Sequence, residues 1–325
     1  MRLNFIDEEV IVLGGAGFIG SNLVIDLVEK GAKVTVLDSF HPMCGANNFN
    51  LEKVKNSVNL VKGDINNTEL ITSIIKDKSV IFNMAGQTSH PYSMQNPIDD
   101  ANINTIGIIN ILEACRKNNK EAKIIQASTR QIYGNQKELP VKETARLNPP
   151  DVNAINKIAA EEYIELYNKV YGTKYTTLRL TNTYGPRIVM NKPHAGFISR
   201  FLKEIIENKT IVLPKDYLIK RDLNFVDDVN KAFLMAAKSE KNGTYNLGDK
   251  NIFTIEEIGN IIKEANNEGE LIYPKQAYEN NIGIKDIYID NSKIKENIGW
   301  NPEANHVEEF RKTINFIKEN RSEYL

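Results

Sequence analysis

The chain has 325 residues, enough for one large or two modest domains with a substantial core. Its 41 basic and 42 acidic residues are nearly balanced and interspersed, which leaves no electrostatic footprint for nucleic acid or an anionic membrane. The two cysteines, Cys44 and Cys115, match no zinc spacing and form no disulfide framework, so no metal site and a reduced, cytoplasmic compartment are expected. Asp7, Glu8 and Glu9 ahead of the first strand argue against a signal peptide, and no apolar run approaches the ~18 residues of a membrane span.

Val10 to Leu13 is a run of strand formers ending in the turn GGAGFIG, and a helix is expected from Ser21 to Lys30. Gly14 and Gly15 permit a tight turn. Gly17 lets the backbone approach a pyrophosphate, Gly20 lets helix and strand pack closely, and the helix N-terminus offers its N–H groups to the anion. After Gly31, a natural C-cap, a second apolar run, KVTVLD, ends in Asp38. An acid about 20 residues beyond the glycines, closing a second strand, suits the ribose 2′-OH of NAD and repels the 2′-phosphate of NADP.

Strand and helix patterns keep alternating. Strands are expected at 58–65, 79–86, 122–128 and 175–180, with helices at 68–76, 99–118 and 151–171. Near-continuous Val/Ile/Leu strands between helices predict an α/β fold, a Rossmann-type doubly wound parallel sheet covered on both faces. Beyond about residue 185 the rhythm loosens into helices at 197–208, 227–239, 255–266 and 306–320 and short strands at 211–213 and 244–248. Thr254 and Glu257 have capping-box spacing. The expected division is an NAD-binding domain over 1–185 and a smaller C-terminal α/β substrate-binding lobe over 186–325, with some exchange of strands and helices between them.

GGAGFIG, GDI (63–65), STRQIYG (128–134), LRLTNTYGP (178–186), RDLNFVDDV (221–229) and IGWNP (298–302) follow one another in order along the chain. This set resembles the extended short-chain dehydrogenase/reductase family, specifically the nucleotide-sugar epimerases and dehydratases typified by UDP-glucose 4-epimerase. The resemblance implies NAD as cofactor and a nucleotide-diphosphate sugar as substrate. It implies that Gly14, Gly17, Phe18, Ile19 and Gly20 hold the pyrophosphate, Asp38 with Ser39 the adenosine ribose, and Asp64 and Ile65 the adenine. Ala85 and Asn104 are implied beside the cofactor, Lys157 on its nicotinamide ribose, and Thr129 at the hydroxyl position that polarises the reacting sugar oxygen. Ser128, His90, Asn182, Arg187 and Arg221 fall on the substrate side, Arg221 on the diphosphate, where its fork of donors suits phosphate oxygens. The two long helices, 99–118 and 151–171, are implied to pair with their copies as a homodimer. Ile106, Ile109, Ile111 and Leu112 are core or dimer face.

The family's catalytic pair is Tyr-x-x-x-Lys. Lys157 is in place, but Asn153 stands where the tyrosine belongs. A carboxamide has no proton to exchange near neutral pH, although it can orient a hydroxyl. Three readings stay open. Another group is the base, drawn from His90, Tyr92, Tyr133, Tyr184 and His194; or Lys157 is the base, its pKa lowered by burial; or the protein binds without reacting. Tyr133 and Tyr184 match positions that are usually structural in the family, and His90 is the preferred candidate. Arg130 and Gln131 replace the acid pair that relatives use to eliminate water, which argues against a 4,6-dehydratase. Arg130 is expected in a structural ion pair, with a substrate carboxylate or phosphate as the alternative. Around 280–288 only Lys285 offers a cation where a second diphosphate-binding arginine is usual. The expected activity is C4 epimerisation through a keto intermediate, with catalytic residues Thr129, Asn153 and Lys157. The alternatives are a dehydrogenase giving a keto sugar and an inactive NAD-binding sensor or scaffold.

Overall fold

Alternate residues of the first strand, β1 (Glu9–Leu13), enter two different cores. Val10 and Val12 pack with Leu23, Leu27, Val229 and Phe233 on one face, whereas Ile11 and Leu13 pack with Ile108, Ile111, Leu112 and Ile164 on the other. A strand buried on both sides in this way needs helices on both faces of its sheet. The computed structural model describes residues 3–192, 195–275 and 285–325.

The further strands are β2 (Lys33–Asp38), β3 (Val58–Lys62), β4 (Val80–Asn83), β5 (Lys123–Thr129), β6 (Lys174–Leu180), β7 (Asn182–Tyr184), β8 (Thr210–Val212), β9 (Lys220–Phe225), β10 (Gly243–Leu247), β11 (Ile252–Thr254) and β12 (Glu270–Ile272). The main sheet has seven strands in the order β3-β2-β1-β4-β5-β6-β10, and every pairing in it is parallel. The order reverses between β1 and β4, the crevice where ligands of doubly wound sheets bind. Helix α1 (Phe18–Glu29) crosses from β1 to β2 and begins three residues before the expected Ser21, so the last glycine of the turn already lies in its first turn. Helix α2 (Thr68–Ile74) follows β3.

The expected single helix over 99–118 is interrupted. Short helices α3 (His90–Gln95) and α4 (Pro97–Ala101) lead into a π-helical turn, Asn102–Ile106, before α5 (Gly107–Asn118). A π turn inserts a residue without altering the apolar stripe on either side, so the periodicity does not reveal it. The next helix, α6 (Val152–Tyr171), is capped by the Asp151 side chain on Ala154 N and by Gly172 in the left-handed region.

From the later part of the chain, α8 (Val226–Lys238) packs on α1 and β10 completes the main sheet. The rest forms a smaller lobe. It contains α7 (Phe197–Asn208), α9 (Ile255–Asn266), α11 (His306–Glu319), α12 (Arg321–Tyr324), the β11-β9-β7 sheet and the β12-β8 pair, whereas α10 (Ser292–Ile298) packs against β10 and places Ile294 in the core of the main sheet. Its core gathers Phe201, Ile205, Ile258, Ile262, Phe310 and Ile314. The expected capping box forms at α9, with Glu257 N donating to Thr254 Oγ1 at 3.1 Å and Thr254 N to Glu257 Oε2 at 2.7 Å.

Candidate functional site

The glycine turn is built by close approach. Gly14 has φ +75, and a Cβ there would lie 2.6 Å from Ala85 N on the neighbouring strand's exit; a Cβ on Gly20 would overlap the carbonyl of Gly14. Gly17 is the N-cap of α1, so the free N–H groups of the helix's first turn face the crevice. Asp38 accepts from Ala16 N at 3.0 Å and Phe40 N at 2.9 Å, which fixes the turn against the end of β2. Burial raises its pKa despite those two bonds.

A cleft of about 510 Å³ runs from this turn across the ends of β2, β3, β4 and β5. It is lined by Gly14, Gly17, Phe18, Ile19 and Gly20, then by Asp38, Ser39, Asp64 and Ile65, and finally by Ala85, Ser128 and Thr129. Residues marked in the sequence as cofactor ligands thus share one wall with the two hydroxyl residues. An adjoining cavity of about 280 Å³ shares Phe18, Cys44, Thr88 and Thr183 with it and is bounded by Asn182, Phe197 and Lys192. A glycine cradle that a Cβ would fill, a helix N-terminus and a carboxylate on the far side fit a dinucleotide.

Lys157 lies beneath this floor. It is almost fully buried, and a Cβ on Gly86 would fall 2.9 Å from its Nζ and 3.1 Å from Asn104 Oδ1. Burial pushes its pKa down to about 8, against the raising effect of Asp100 and Glu161. The π turn carries Asn104, whose Nδ2 donates to Gln87 O at 3.0 Å. Among the described residues its buried Oδ1 has no hydrogen-bond partner.

Asn153 is placed differently from the expected sugar-orienting role. Its side chain is buried and does not line the cleft. Its Nδ2 donates to Gln87 O at 2.8 Å and to Asp100 Oδ2 at 3.1 Å. Asp100, fully buried, also accepts from Gln87 Nε2 at 2.9 Å and Asn156 Nδ2 at 2.8 Å. The amide therefore serves this carboxylate.

The other proposed bases fare no better. Tyr133 is fully buried, donating to Asn246 Oδ1 at 2.7 Å and accepting from Arg179 Nη1 at 2.6 Å; burial pushes its pKa up to about 12. Tyr184 is fully buried, stacked on Phe310 at 3.9 Å, with its hydroxyl 2.7 Å from His306 Nδ1. Tyr92 donates to Asp99 at 2.9 Å. His90 Nδ1 sits 2.9 Å from Asp151 Oδ2 at the start of α6, away from the cleft lining, so the expectation that it faces substrate is corrected. His194 lies outside the described residues, as do positions 280–284 of the segment searched for a second arginine.

Ser128 and Thr129 end β5 inside the cleft. Ser128 donates to Glu161 Oε1 at 2.5 Å, which limits it to accepting from a ligand. Thr129 Oγ1 accepts from Gln131 N at 3.1 Å and caps the 3₁₀ turn Arg130–Tyr133. Arg130 is buried, and no carboxylate lies within 4 Å of it among the described residues; the expected ion pair is absent. Its Nη2 donates to Asn182 Oδ1 at 3.1 Å. Arg221, also buried, donates to the carbonyls of Lys220 at 2.8 Å and Lys285 at 2.6 Å, and burial, with Arg130 nearby, pulls its pKa down to about 10. Arg187 is corrected. It donates to Asn50 O at 3.2 Å and Asn22 Oδ1 at 3.0 Å with its guanidinium over Phe316, and so ties α1 to the C-terminal helices outside the cleft.

Sequence reasoning missed a polar group at the cleft mouth. Cys44, His41 and Asp99 all line it, with Cys44 Sγ 3.9 Å from His41 Nδ1 and His41 Nε2 3.7 Å from Asp99 Oδ2. Burial, with Asp38 and Asp99 nearby, pushes the Cys44 thiol up to about 11. The three come from a loop and a short helix, and no spacing in the chain joins them.

The doubly wound sheet and the cradle at its switch point define a dinucleotide-binding α/β protein. Residues 11–313 match the family described as GDP-mannose 4,6 dehydratase, and the chain belongs to that family of extended short-chain dehydrogenase-type nucleotide-sugar epimerases and dehydratases. A protein of Methanocaldococcus jannaschii, named provisionally as a UDP-glucose 4-epimerase, is 36% identical over 96% of this chain and 99% of its own length. The UDP-N-acetylglucosamine 4-epimerase of Methanobrevibacter ruminantium, solved in complex with UDP-N-acetylmuramic acid, superposes with TM-score 0.89 at 28% identity, covering 97% of this chain and 100% of its own. The UDP-glucose 4-epimerase of Thermotoga maritima, solved with UDP-glucose, gives TM-score 0.87 at 30% identity, covering 96% and 99%.

Proposed function

We propose that this chain is an NAD-dependent epimerase that inverts C4 of a sugar activated as a nucleoside diphosphate. The observation that carries the reading is the single cleft that runs from the glycine cradle and Asp38 to Thr129, with Lys157 and Asn104 under its floor and a second cavity opening on Asn182. When bound, the dinucleotide supplies a hydride acceptor for a ring carbon. The residues that would hold it are the first turn of α1 at the pyrophosphate, Asp38 and Ser39 at the ribose, and Asp64 and Ile65 at the adenine. Residues 1–185 form its domain, and residues 186–325 form the substrate lobe, apart from α8, β10 and α10, which return to the main sheet.

Thr129 orients the reacting oxygen. Lys157, whose Nζ lies directly behind Gly86 of the cleft wall, takes the hydroxyl proton in its neutral form, which burial favours by lowering its pKa to about 8. Asn153, through Asp100 and Gln87, sets the shape of the pocket that holds this lysine, and Arg221 neutralises the diphosphate. Arg130 and Gln131, where an eliminating enzyme needs an acid and a base, favour epimerisation over loss of water. The orientation of Asn153 away from the cleft favours a second reading, a dinucleotide-bound sensor without chemistry.

The protein also works as a homodimer in this reading. Ile106, Ile155, Leu166 and Val170 are 43%, 53%, 51% and 59% exposed on adjoining helical faces, an apolar stripe suited to a self-complementary helix pair. The test of function is direct. The purified protein should show the near-ultraviolet absorbance of bound reduced nicotinamide on mixing with a substrate nucleotide sugar, and NMR should find the 4-epimer. No spectral change and no product across a panel of nucleotide sugars would favour the sensor.

A further inference from the structure

A cavity of about 320 Å³ adjoins the cofactor cleft and has no task in the epimerisation account. Two of its walls are the chain between β2 and β3, from Phe40 to Asn50, and the segment from Arg187 to Lys192 that follows β7. Both walls also bound the cleft, because Gly45, Ala46 and Val189 line the two spaces in common. The walls meet at Gly45, where a Cβ would overlap Val189, and at Pro42, whose carbonyl accepts from Lys192 Nζ at 2.7 Å.

Arg187 lines this cavity with donors to spare. Of the five N–H donors of a guanidinium, one reaches Asn50 O and one Asn22 Oδ1; Nη2 donates to no described residue and is not sealed from solvent. The acids that act on Arg187, namely Asp227, Asp26 and Glu29, do so from beyond ion-pair distance, and burial lowers its pKa. A half-buried cation without a counter-charge is costly, because its lost hydration is only partly replaced. Its backbone adds a cost of its own, since φ is 70°, a left-handed conformation that persists only where the surroundings hold it and that gathers at ligand clamps. Lys192 and the amides of Asn47 and Asn48 bring further donors to the cavity, Ile188 and Met190 an apolar wall, and Glu323 is the one acid among its described lining residues.

We propose that this cavity is an effector site for a small organic anion, with its phosphate or carboxylate oxygens on Arg187 and its body on Ile188 and Met190. The arginine fork suits either group. The site is bonded in series to the cofactor cradle. Arg187 Nε donates to Asn50 O at 3.2 Å, Asn50 Nδ2 to Ala16 O at 2.8 Å and Ala16 N to Asp38 Oδ2 at 3.0 Å. An anion that touches both walls holds them together over the cleft, so anion and dinucleotide raise each other's affinity by the same factor. The inference goes beyond the epimerase reading, because it requires a bound dinucleotide but no turnover.

Calorimetry of the NAD-loaded protein with inorganic phosphate and with succinate tests the site and separates the two kinds of oxyanion. One of them should bind with a Kd of about 1 mM or tighter. Asn48 is exposed, and Asn48→Asp, which sets a negative charge on the rim, should weaken that binding at least about fivefold. Arg187→Gln should abolish it; Asn48→Asp decides alone if Arg187→Gln does not fold. A saturating concentration of the anion should also raise the retention of NAD on dilution at least about fivefold. Binding of neither anion, or binding that Asn48→Asp leaves unchanged, overturns the site. A bound anion that leaves NAD retention unchanged or lowers it overturns the effector role. Neither result bears on turnover of a nucleotide sugar, so the failure of this inference and the failure of the epimerase reading are told apart.

Discussion

Two side chains one helical turn apart decide the chemistry. Asn153 spends its amide on Gln87 O and Asp100, a carboxylate that takes three amide donors. Removing it takes one of two donors from the Gln87 carbonyl and one of three from a buried carboxylate, so Asn153→Ala should lower stability by about 1–3 kcal/mol, read as a shift in the urea midpoint. Lys157 carries the pH dependence. With its pKa brought down to about 8 from 10.5, the neutral amine needed as a base grows with pH. Turnover should rise about tenfold per pH unit below that value and level off above it. The same shift has a stability consequence of fixed sign. The unfolded lysine binds its proton up to the higher pKa, so this group's contribution stabilises the fold as pH climbs from about 8 towards 10.5 and is a constant penalty below 8. A flat pH–rate profile between 6 and 9 would remove Lys157 as the base, and Lys157→Met should abolish turnover.

At the scale of elements, α6 is the piece that must be held in register, because it carries both side chains. Its Glu161 receives Arg179 of β6 at 2.6 Å and Ser128 of β5 at 2.5 Å, with Arg179 also reaching Tyr133. Both partners of this ion pair are more than nine-tenths buried. Taking away one of them strands the other, and Arg179→Met should cost about 3–5 kcal/mol. A loss under about 1 kcal/mol in chemical denaturation would mean that packing alone positions the helix.

Most of these elements were legible because burial imposes their pattern. Val10 to Leu13, the run ending in Asp38 and the helix 255–266 with its capping box lie where the apolar spacing and caps put them. The π turn at Asn102–Ile106 was not legible, since one inserted residue leaves the flanking stripes intact. Nor was β9, most of which lies in the motif RDLNFVDDV; its polar residues reach distant carbonyls and Ile289 N, while Asp222 Oδ1 and Asn224 Oδ1 have no hydrogen-bond partner among the described residues. The same limit applies to the site. Residues joined by one turn, such as Gly14, Gly17 and Gly20, could be read together, whereas Cys44, His41 and Asp99 meet only through the fold. The placements of His90 and Arg187 could not be foreseen either, because their partners, Asp151, Asn22 and Asn50, are remote in sequence.

For the whole molecule, two surfaces matter. The stripe on α6 and the π turn predicts a homodimer, so Leu166→Glu with Val170→Glu should give a monomer in sedimentation velocity; a monomeric wild-type protein would contradict that assembly. The cleft is the other surface. If hydride leaves C4 and returns to the same carbon from a nicotinamide that never exchanges, a nucleotide sugar carrying deuterium at C4 should yield an epimer with the deuterium still at C4 and none acquired from solvent, as read by NMR and mass. Loss of that deuterium to water during epimerisation, or an unchanged sugar after prolonged incubation with every nucleotide sugar tried, would contradict the account.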